Sequence, residues 1–137
     1  MKLDLYNKVY EINNLLDPVD EHNLLLKCDI NTQRDVFNFY KSLTIGEVSE
    51  MLSICVMNDT ELSTFNKFSE LLGIGYIIKD VTVDVVLGNF KTDEYITNTI
   101  INPFLEDNLS IDMILDKINI KGINGLSEVD KKVLIFK

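Results

Sequence analysis

The stretch from Thr44 to Gly73 constrains the fold most strongly, because it predicts two consecutive helices with marked ends. Thr44 and Glu47 have the spacing of a capping box, in which each side chain accepts a hydrogen bond from the other residue's backbone N–H. Apolar residues then recur at the three- and four-residue steps that line one face of a helix: Ile45, Val48, Leu52 and Cys55. The first part of the stretch is therefore predicted to be helical.

The second helix of this stretch is predicted to begin at Asn58 or Asp59, with Glu61 in its first turn. Gly73 supplies the left-handed residue at which many helices end. Its apolar side carries two phenylalanines and two leucines, which predicts a place in the core: Leu62, Phe65, Phe68, Ser69 and Leu72.

Most of the remaining chain carries helical signals as well. A helix over residues 3–16 is predicted to end before Pro18, because the residue preceding a proline avoids the helical conformation. Residues 20–30 fit either a helix or a buried strand, with the helix favoured. Further helices are predicted from Asn31 or Thr32 to Leu43, over residues 92–105 with a kink or split at Pro103, from Ile111 to Lys121, and from Glu128 onward.

Residues 74–90 carry the strongest strand signal. Tyr76, Ile77 and Ile78 are good strand formers, and apolar residues alternate with polar ones over 81–87 before the turn at Gly88-Asn89. A short helix over 81–87, capped by Asp80, is the alternative. The predicted fold class is mainly α (α+β): a single globular domain of residues 1–137, with six or seven helices in a compact bundle and a small β-hairpin or strand pair near 74–90.

Composition and cysteine spacing indicate where such a chain would work. An apolar fraction of 46% is typical of a folded globular protein. No apolar run approaches the roughly 18 residues of a membrane span, and the N-terminus lacks the apolar core of a signal peptide. Cys28 and Cys55 have neither a CxxC spacing nor a nearby histidine, which fits a reducing compartment. A cytoplasmic protein is expected.

No recognisable catalytic constellation is present in the sequence. His22 is the single histidine and has no evident catalytic partner, and the motifs of serine hydrolases, P-loop and dinucleotide-binding proteins, zinc proteases and EF-hands are missing. Asp80, Thr82 and Asp84 share one side of the predicted strand and offer oxygen ligands for Mg²⁺ or Ca²⁺. The wet face of an amphipathic strand explains them more simply. The expectation is no enzyme, no cofactor and no metal site.

The segment Thr44-Ile-Gly-Glu-Val-Ser-Glu-Met-Leu52 resembles the opening of the helix-turn-helix in MerR-type regulators. Residues 61–68 are loosely similar to the recognition helix of that family, so the resemblance covers about a fifth of the chain. It implies a DNA-binding transcription regulator. Lys67 is the one basic residue of this second helix, whereas phosphate contacts require several. The resemblance is therefore interpreted as a shared capped helix, and a regulator is kept as an alternative function.

The distribution of charge is the most informative feature for function. The net charge of −9 predicts repulsion from nucleic acids and anionic membranes, and attraction to a basic partner. Two stretches, within residues 42–66 and 92–116, contain acids and no lysine or arginine. Helix starts favour carboxylates, but this preference does not explain the missing lysines. Ten residues are predicted to bind the partner: Glu47, Glu50, Asp59, Glu61, Asp93, Glu94, Glu106, Asp107, Asp112 and Asp116.

These observations favour a non-catalytic, acidic, cytoplasmic binding protein that docks on a basic protein partner. An inhibitor, an immunity protein or a phage anti-defence protein would have this character, because each covers a surface built to bind nucleic acid. Direct binding to nucleic acid or membranes is not expected. The alternative of a different class is a structural or oligomer-forming protein, in which the strands near 74–90 pair across a homodimer.

Overall fold

A computed structural model describes residues 3–15 and 18–137 of the chain. It shows a mixed α/β fold in which a four-stranded antiparallel sheet carries helices on both faces. The strands are β1 (Lys8–Asn14), β2 (Thr44–Glu47), β3 (Leu52–Met57) and β4 (Tyr76–Asp80).

The helices fall into two groups along the chain. Three α-helices precede β4: α1 (Pro18–Leu26), α2 (Ile30–Ser42) and α3 (Asp59–Leu72). Five follow it: α4 (Thr82–Leu87), α5 (Glu94–Ile96), α6 (Asn102–Asn108), α7 (Ile111–Lys121) and α8 (Glu128–Phe136). A π-helical turn (Thr97–Ile101) joins α5 to α6, and a 3₁₀ turn (Ile123–Gly125) precedes α8.

The strand order is β2-β3-β1-β4, and every neighbouring pair is antiparallel. β1 therefore lies inside the sheet, with Ile12 opposite Ser53 of β3 and Ile78 of β4. Because successive residues of a strand point to opposite faces, Val9 and Ile12 leave β1 on different sides. The two sides of the sheet consequently build two separate cores.

One face of the sheet packs against the helices that follow β4, here called the C-terminal layer (residues 82–136). Val9 and Ile54 of the sheet lie in this core with Val85, Ile96 and Ile114. The opposite face packs against α2 and α3, with α1 beside them, and these three helices are called the N-terminal layer. Its core combines strand and helix residues: Tyr10, Ile12, Leu43, Cys55, Met57 and Phe65.

The helix predicted over residues 3–16 is wrong, because residues 8–14 form the buried strand β1. Val9 and Ile12 are three residues apart, which mimics helical spacing. Yet Val9, Tyr10 and Ile12 are all buried, as expected for a strand covered on both faces. Leu16 and Asp17, where this helix was predicted to end, lie outside the described residues.

The helix predicted to begin at Thr44 is also wrong, since β2 and β3 form a hairpin there. Ile54 and Val56 pack on the C-terminal layer, whereas Cys55 packs on the N-terminal layer, so the segment has the period of a strand. The capping-box spacing of Thr44 and Glu47 is coincidental. The segment that resembled the first helix of MerR-type regulators is therefore part of a β-hairpin in the structure.

The predicted helix ends of the second core helix are confirmed. Asn58 Oδ1 accepts from the Glu61 N–H at 2.8 Å, Glu61 Oε1 accepts from the Asn58 N–H at 3.0 Å, and Gly73 has a φ of 70°. The helices begun by Ser110 and Ser127 are confirmed in the same way, because each serine accepts from a backbone N–H three residues on. A helix cap involves only neighbouring residues, so it can be read from the sequence where the segment that follows is helical.

The strand expected near 74–90 is confirmed for β4, and the alternative helix is confirmed for α4. Asp80 Oδ1 accepts from the Thr82 N–H at 2.9 Å and from the Thr82 hydroxyl at 2.6 Å. Thr82 is buried, so the wet strand face proposed for Asp80, Thr82 and Asp84 is wrong. The fold is α+β as predicted, but its sheet has four strands rather than a small hairpin or strand pair.

The two remaining uncertain segments are helical. Residues 20–26 continue α1, as favoured from the sequence. Pro103 follows the π-helical turn, where the Asn102 N–H donates to the carbonyl of Thr97, five residues back. Because proline has no N–H and crowds the preceding turn, a break in regular α-helical bonding was expected here. Within the described residues, no helix has the length and apolar character needed to cross a membrane.

Candidate functional site

A cavity of about 270 Å³ opens on the N-terminal-layer side of the sheet, beside the turn that joins β2 to β3. It is called the acidic cavity because three glutamates contribute to its wall. Residues from all four strands and all three helices of the N-terminal layer line it: Ile12, Asn14, Glu21, Tyr40, Ile45, Glu47, Glu50, Met51, Ser53, Phe65 and Tyr76.

The hairpin places two of the predicted partner-binding acids at this cavity. Glu47 is the last residue of β2 and lies opposite Ser53. The turn over 48–51 is closed by the N–H groups of Val48 and Ser49, which both donate to the carbonyl of Leu52. Glu50 lies within this turn, and both glutamates are exposed. The hairpin therefore brings Glu47 and Glu50 to the wall of the same cavity.

The third carboxylate, Glu21, is held in place by two donors. The Tyr76 hydroxyl donates to Glu21 Oε1 at 2.7 Å, and the Asn14 side-chain amide donates to Glu21 Oε2. Asn14 and Tyr76 are opposite each other in the β1–β4 register, so the sheet presents both donors to the first turn of α1. Hydrogen bonds to an ionised acceptor are strong, which fixes the direction of this carboxylate.

Aromatic rings form the inner wall of the cavity. Tyr40 meets Phe65 edge-on with ring centroids 5.7 Å apart, and Phe65 lies 4.9 Å from the ring of Tyr76. The Tyr40 hydroxyl oxygen is buried and has no hydrogen-bond partner among the described residues. The Tyr76 hydroxyl lies close enough to affect the pKa of Tyr40, but its O–H donates to Glu21, and the two phenols do not meet the geometry of a hydrogen bond. The inner wall of the cavity thus contains one hydroxyl oxygen, that of Tyr40, without a hydrogen-bond partner in the described structure.

The two phenols at the cavity do not carry charge at neutral pH. Burial raises the pKa of Tyr76, and neighbouring Tyr40 and the hydrogen bond to Glu21 raise it further. Burial likewise raises the pKa of Tyr40, an effect that the nearby Tyr76 hydroxyl partly offsets. Among the residues that the structure describes, no Lys, Arg or His lines the cavity. The electrostatic character of the cavity is therefore set by its carboxylates, and it favours a cationic ligand.

A second cavity brings together one acid from each predicted stretch. Glu61 and Asp107 both line a space of about 360 Å³, together with Asn7, Thr44 and Asn108. Thr44 is paired with Val56, which packs on the C-terminal layer, so this cavity lies on the opposite face of the sheet. Glu61 is already engaged in the capping box of α3. This second cavity is separate from the acidic cavity.

The ten predicted acids do not form one continuous face. Glu47 and Glu50 lie at one end of β3, whereas Asp59 and Glu61 follow its other end. The strand residues at these ends, Ser53 and Met57, are about 13 Å apart at 3.3 Å per residue. The remaining six lie on the C-terminal layer or its leading loop: Asp93, Glu94, Glu106, Asp107, Asp112 and Asp116.

Ion pairing distinguishes two of these acids from the others. Asp59 lies 3.5 Å from the Lys8 ammonium, and Glu106 lies 3.0 Å from that of Lys132. The other eight of the ten make no ion pair within 4.0 Å in the described part of the chain. Asp93 instead caps α5, where its Oδ1 accepts from the Ile96 N–H at 2.8 Å. Most of the predicted carboxylates are therefore not neutralised by neighbouring lysines.

Sequence reasoning missed four residues of the acidic cavity: Asn14, Glu21, Tyr40 and Tyr76. Glu21 was interpreted only as a residue of a helix start, Tyr40 as part of the apolar set of a helix, and Tyr76 as a strand former. They are separated by many residues, and no spacing in the sequence connects them. Only the pairing of Asn14 with Tyr76 across β1 and β4 brings them to Glu21.

The sequence also drew attention to His22 and to the two cysteines, and these residues do not form a recognisable catalytic group in the described structure. His22 is exposed on α1 and lines an apolar cavity of about 270 Å³ that shares Glu21 and Tyr40 with the acidic cavity. Cys28 and Cys55 are free thiols. Within residues 3–15 and 18–137, no group of three or more His, Cys, Asp or Glu side chains has an arrangement suited to a metal ion.

Comparison with known proteins finds no match to this chain among protein-family models, curated proteins or solved structures. Function must therefore be argued from the geometry and charge of the acidic cavity and its surroundings.

Proposed function

We propose that this chain is a non-catalytic cytoplasmic binding protein that docks on a basic protein partner through the surface around the acidic cavity. An inhibitor, an immunity protein or a phage anti-defence protein would act in this way. One observation carries the proposal: Glu21, Glu47 and Glu50 line a cavity with aromatic walls, and no basic residue of the described ranges lines it.

The magnitudes of electrostatic interactions favour a cavity over the other acidic positions. An ion pair on an open surface contributes only about 0–1 kcal/mol, because water and salt screen it. A cationic side chain inside a cavity forms stronger charge-assisted hydrogen bonds in a drier environment. A stable complex usually buries about 800 Å² on each partner, so the cavity would be the anchor of a larger interface.

The long-range charge of the molecule supports the same function. At −9, the chain attracts a basic protein and speeds its approach at low salt. Two cavity residues, Glu47 and Glu50, belong to the set of acids without an ion pair. Their carboxylates are thus available to a partner without the loss of an internal salt bridge.

The lining of the cavity supports a binding role over a catalytic one. In the described lining, Ser53 is the one hydroxyl of nucleophile type and has no histidine or lysine beside it, whereas a nucleophile needs an activating base within reach. The lone His22 lines the adjoining apolar cavity and is exposed. Recognition of a cation requires none of this machinery.

Affinity purification from the source cell tests the proposal, with the tagged wild-type chain compared with two double variants. Glu47→Gln/Glu50→Gln removes two charges at the acidic cavity. Asp112→Asn/Asp116→Asn removes the same charge from exposed positions on α7, in the C-terminal layer. We expect the wild type and the α7 variant to retain a basic protein that the cavity variant loses. Equal retention by all three proteins, or recovery of an acidic partner, would contradict the proposal.

A second candidate function has one specific observation in its favour. β4 is an edge strand of the described sheet, and its Ile77 is 57% exposed. Edge strands can pair with the same strand of another copy across a two-fold axis, which would give a structural or oligomer-forming protein. Light scattering after size exclusion tests it. A dimer that persists at high salt and is lost in Ile77→Lys would favour this function, whereas a monomer at all concentrations would exclude it.

A further inference from the structure

We infer that the acidic cavity is an anchor pocket for one arginine side chain of the partner protein. This inference rests on the proposed function and specifies the chemistry of the contact. It depends on the size of the cavity, its set of hydrogen-bond acceptors and the unused hydroxyl of Tyr40.

The size of the cavity suits one side chain. Sites for drug-sized ligands and cofactors usually have volumes of about 300–1,000 Å³. The acidic cavity, at about 270 Å³, lies just below that range. A single long side chain, delivered by a partner that binds the surrounding surface, is therefore a better match than a free metabolite.

The acceptors around the cavity match a guanidinium group. Glu47 and Glu50 approach from the hairpin, and Glu21 accepts two internal hydrogen bonds while an ionised carboxylate has about four lone-pair sites. Arginine brings five N–H donors in a planar fork, and its plane also stacks on aromatic faces. Lysine brings three donors on a compact ammonium. Because the cavity has acceptors on several sides and tyrosines in its wall, it favours arginine, the planar cation with more donors, over lysine.

The Tyr40 hydroxyl gives an observation that is independent of the acids. Tyr40 lines the cavity, and its buried hydroxyl oxygen has no hydrogen-bond partner among the described residues, which is an unfavourable state for a polar atom. The O–H of the neighbouring Tyr76 already donates to Glu21. An N–H of an inserted guanidinium would supply the missing hydrogen bond to Tyr40. The unbound cavity therefore already contains a hydrogen-bond acceptor for a ligand that donates an N–H.

Titration with matched peptides, followed by NMR of the backbone amides, tests the inference. The probe is a short capped peptide with a single arginine flanked by glycines. The control contains citrulline, which keeps the length and shape of arginine without its charge, and a third peptide contains lysine. We expect saturable shifts around Ser53 and Met51, with the citrulline peptide roughly tenfold weaker or more and the lysine peptide intermediate. Equal binding of arginine and citrulline would overturn the inference.

Tyr40→Phe separates recognition from structure, because it removes only the unused hydroxyl. It is expected to weaken the arginine peptide by about threefold or more while leaving the melting temperature unchanged or higher. Glu50→Gln should also weaken the peptide, whereas Asp116→Asn on α7 should not. Undiminished binding by Tyr40→Phe and Glu50→Gln together would place the peptide elsewhere and overturn the inference.

The source of the guanidinium is tested with methylguanidinium and free arginine. Methylguanidinium is expected to bind about as tightly as the peptide, because both offer the cavity the same group. Free arginine that binds far more tightly than the peptide would indicate a site for the free amino acid and overturn the assignment to a partner side chain. The inference can fail independently of the proposed function. If the peptides do not bind but Glu47→Gln/Glu50→Gln still loses the captured partner, the docking function stands and the arginine anchor does not.

Discussion

The ammonium of Lys117 lies 2.5 Å from Oδ2 of Asp130, and these side chains are only 2% and 0% exposed. The contact joins α7 to α8 inside the C-terminal layer. Asp130 Oδ2 also accepts from the Ser127 N–H at 2.8 Å, so one carboxylate both pairs with the lysine and caps α8. Two charges removed from water are tolerated here because each neutralises the other.

We predict strong coupling between Lys117 and Asp130. Lys117→Met or Asp130→Asn alone leaves one buried charge without its partner and should cost about 3–5 kcal/mol of unfolding free energy. The double variant removes both charges and should cost clearly less than the sum of the two. Urea denaturation of the four proteins measures this. Additive losses would show that the ion pair contributes no coupling.

A second prediction concerns the contact between β2 and the C-terminal layer. A Cβ atom at Gly46 would lie 2.5 Å from Cδ1 of Ile96, which is fully buried. Gly46→Ala should therefore destabilise the protein by about 1–3 kcal/mol through overpacking.

The control for this prediction is Ile96→Val, which removes the clashing methyl group. Alone it should cost about 0.5–1.5 kcal/mol. Combined with Gly46→Ala it should recover much of the loss, as measured by thermal and urea unfolding. A double variant no more stable than Gly46→Ala alone would mean that the close approach to Ile96 is not what requires glycine.

The two cysteines are predicted to differ sharply in reactivity. Burial, with a smaller contribution from the Glu61 carboxylate, raises the pKa of the Cys55 thiol from 9.0 to about 12. Cys28 is only half-buried. Because the thiolate is the reactive form, a disulfide reagent at pH 8 should modify one thiol in the folded protein and two in denaturant. Rapid modification of Cys55 in the folded protein would contradict its burial.

The same shift predicts a decline of stability in alkali. Below pH 9 the Cys55 thiol is protonated in both the folded and the unfolded protein, so it does not make the free energy of unfolding depend on pH. Between pH 9 and about 12 the unfolded chain releases this proton while the folded chain keeps it, which favours unfolding. Tyr40 and Tyr76 act in the same direction. The contribution of Cys55 is measured by comparing the wild type with Cys55→Val in the slope of unfolding free energy against pH. Identical slopes would show that Cys55 makes no contribution.

Local signals predicted several helix ends correctly but failed at Thr44, where the structure has a strand, and long-range pairing explains this error. Asn58 and Ser127 cap their helices through residues three positions away, so the sequence alone is sufficient. β1 depends on β3 and β4, which lie some forty and sixty residues further along the chain. Its apolar residues at positions 9 and 12 satisfied a helical period equally well, and only the burial of both strand faces resolves the ambiguity.

The candidate site was predictable only in part. Glu47 and Glu50 were identified because the sequence around them lacks lysine and arginine. Glu21 and Tyr40 carried no signal, since the cavity is assembled by sheet register and by the packing of α1 and α2. Charge patterns along the sequence thus identified acidic stretches, while the fold determines which carboxylates meet.

The most direct measurement of the central claim is the salt dependence of the complex with the captured partner. Between about 0.1 M and 1 M salt the screening length falls from about 10 Å to about 3 Å. We expect the dissociation constant of the wild-type complex to rise by about tenfold or more, equivalent to about 1.4 kcal/mol. Glu47→Gln/Glu50→Gln should bind more weakly at low salt and respond less to added salt. An affinity that ignores both the salt and these substitutions would contradict docking through the acidic cavity.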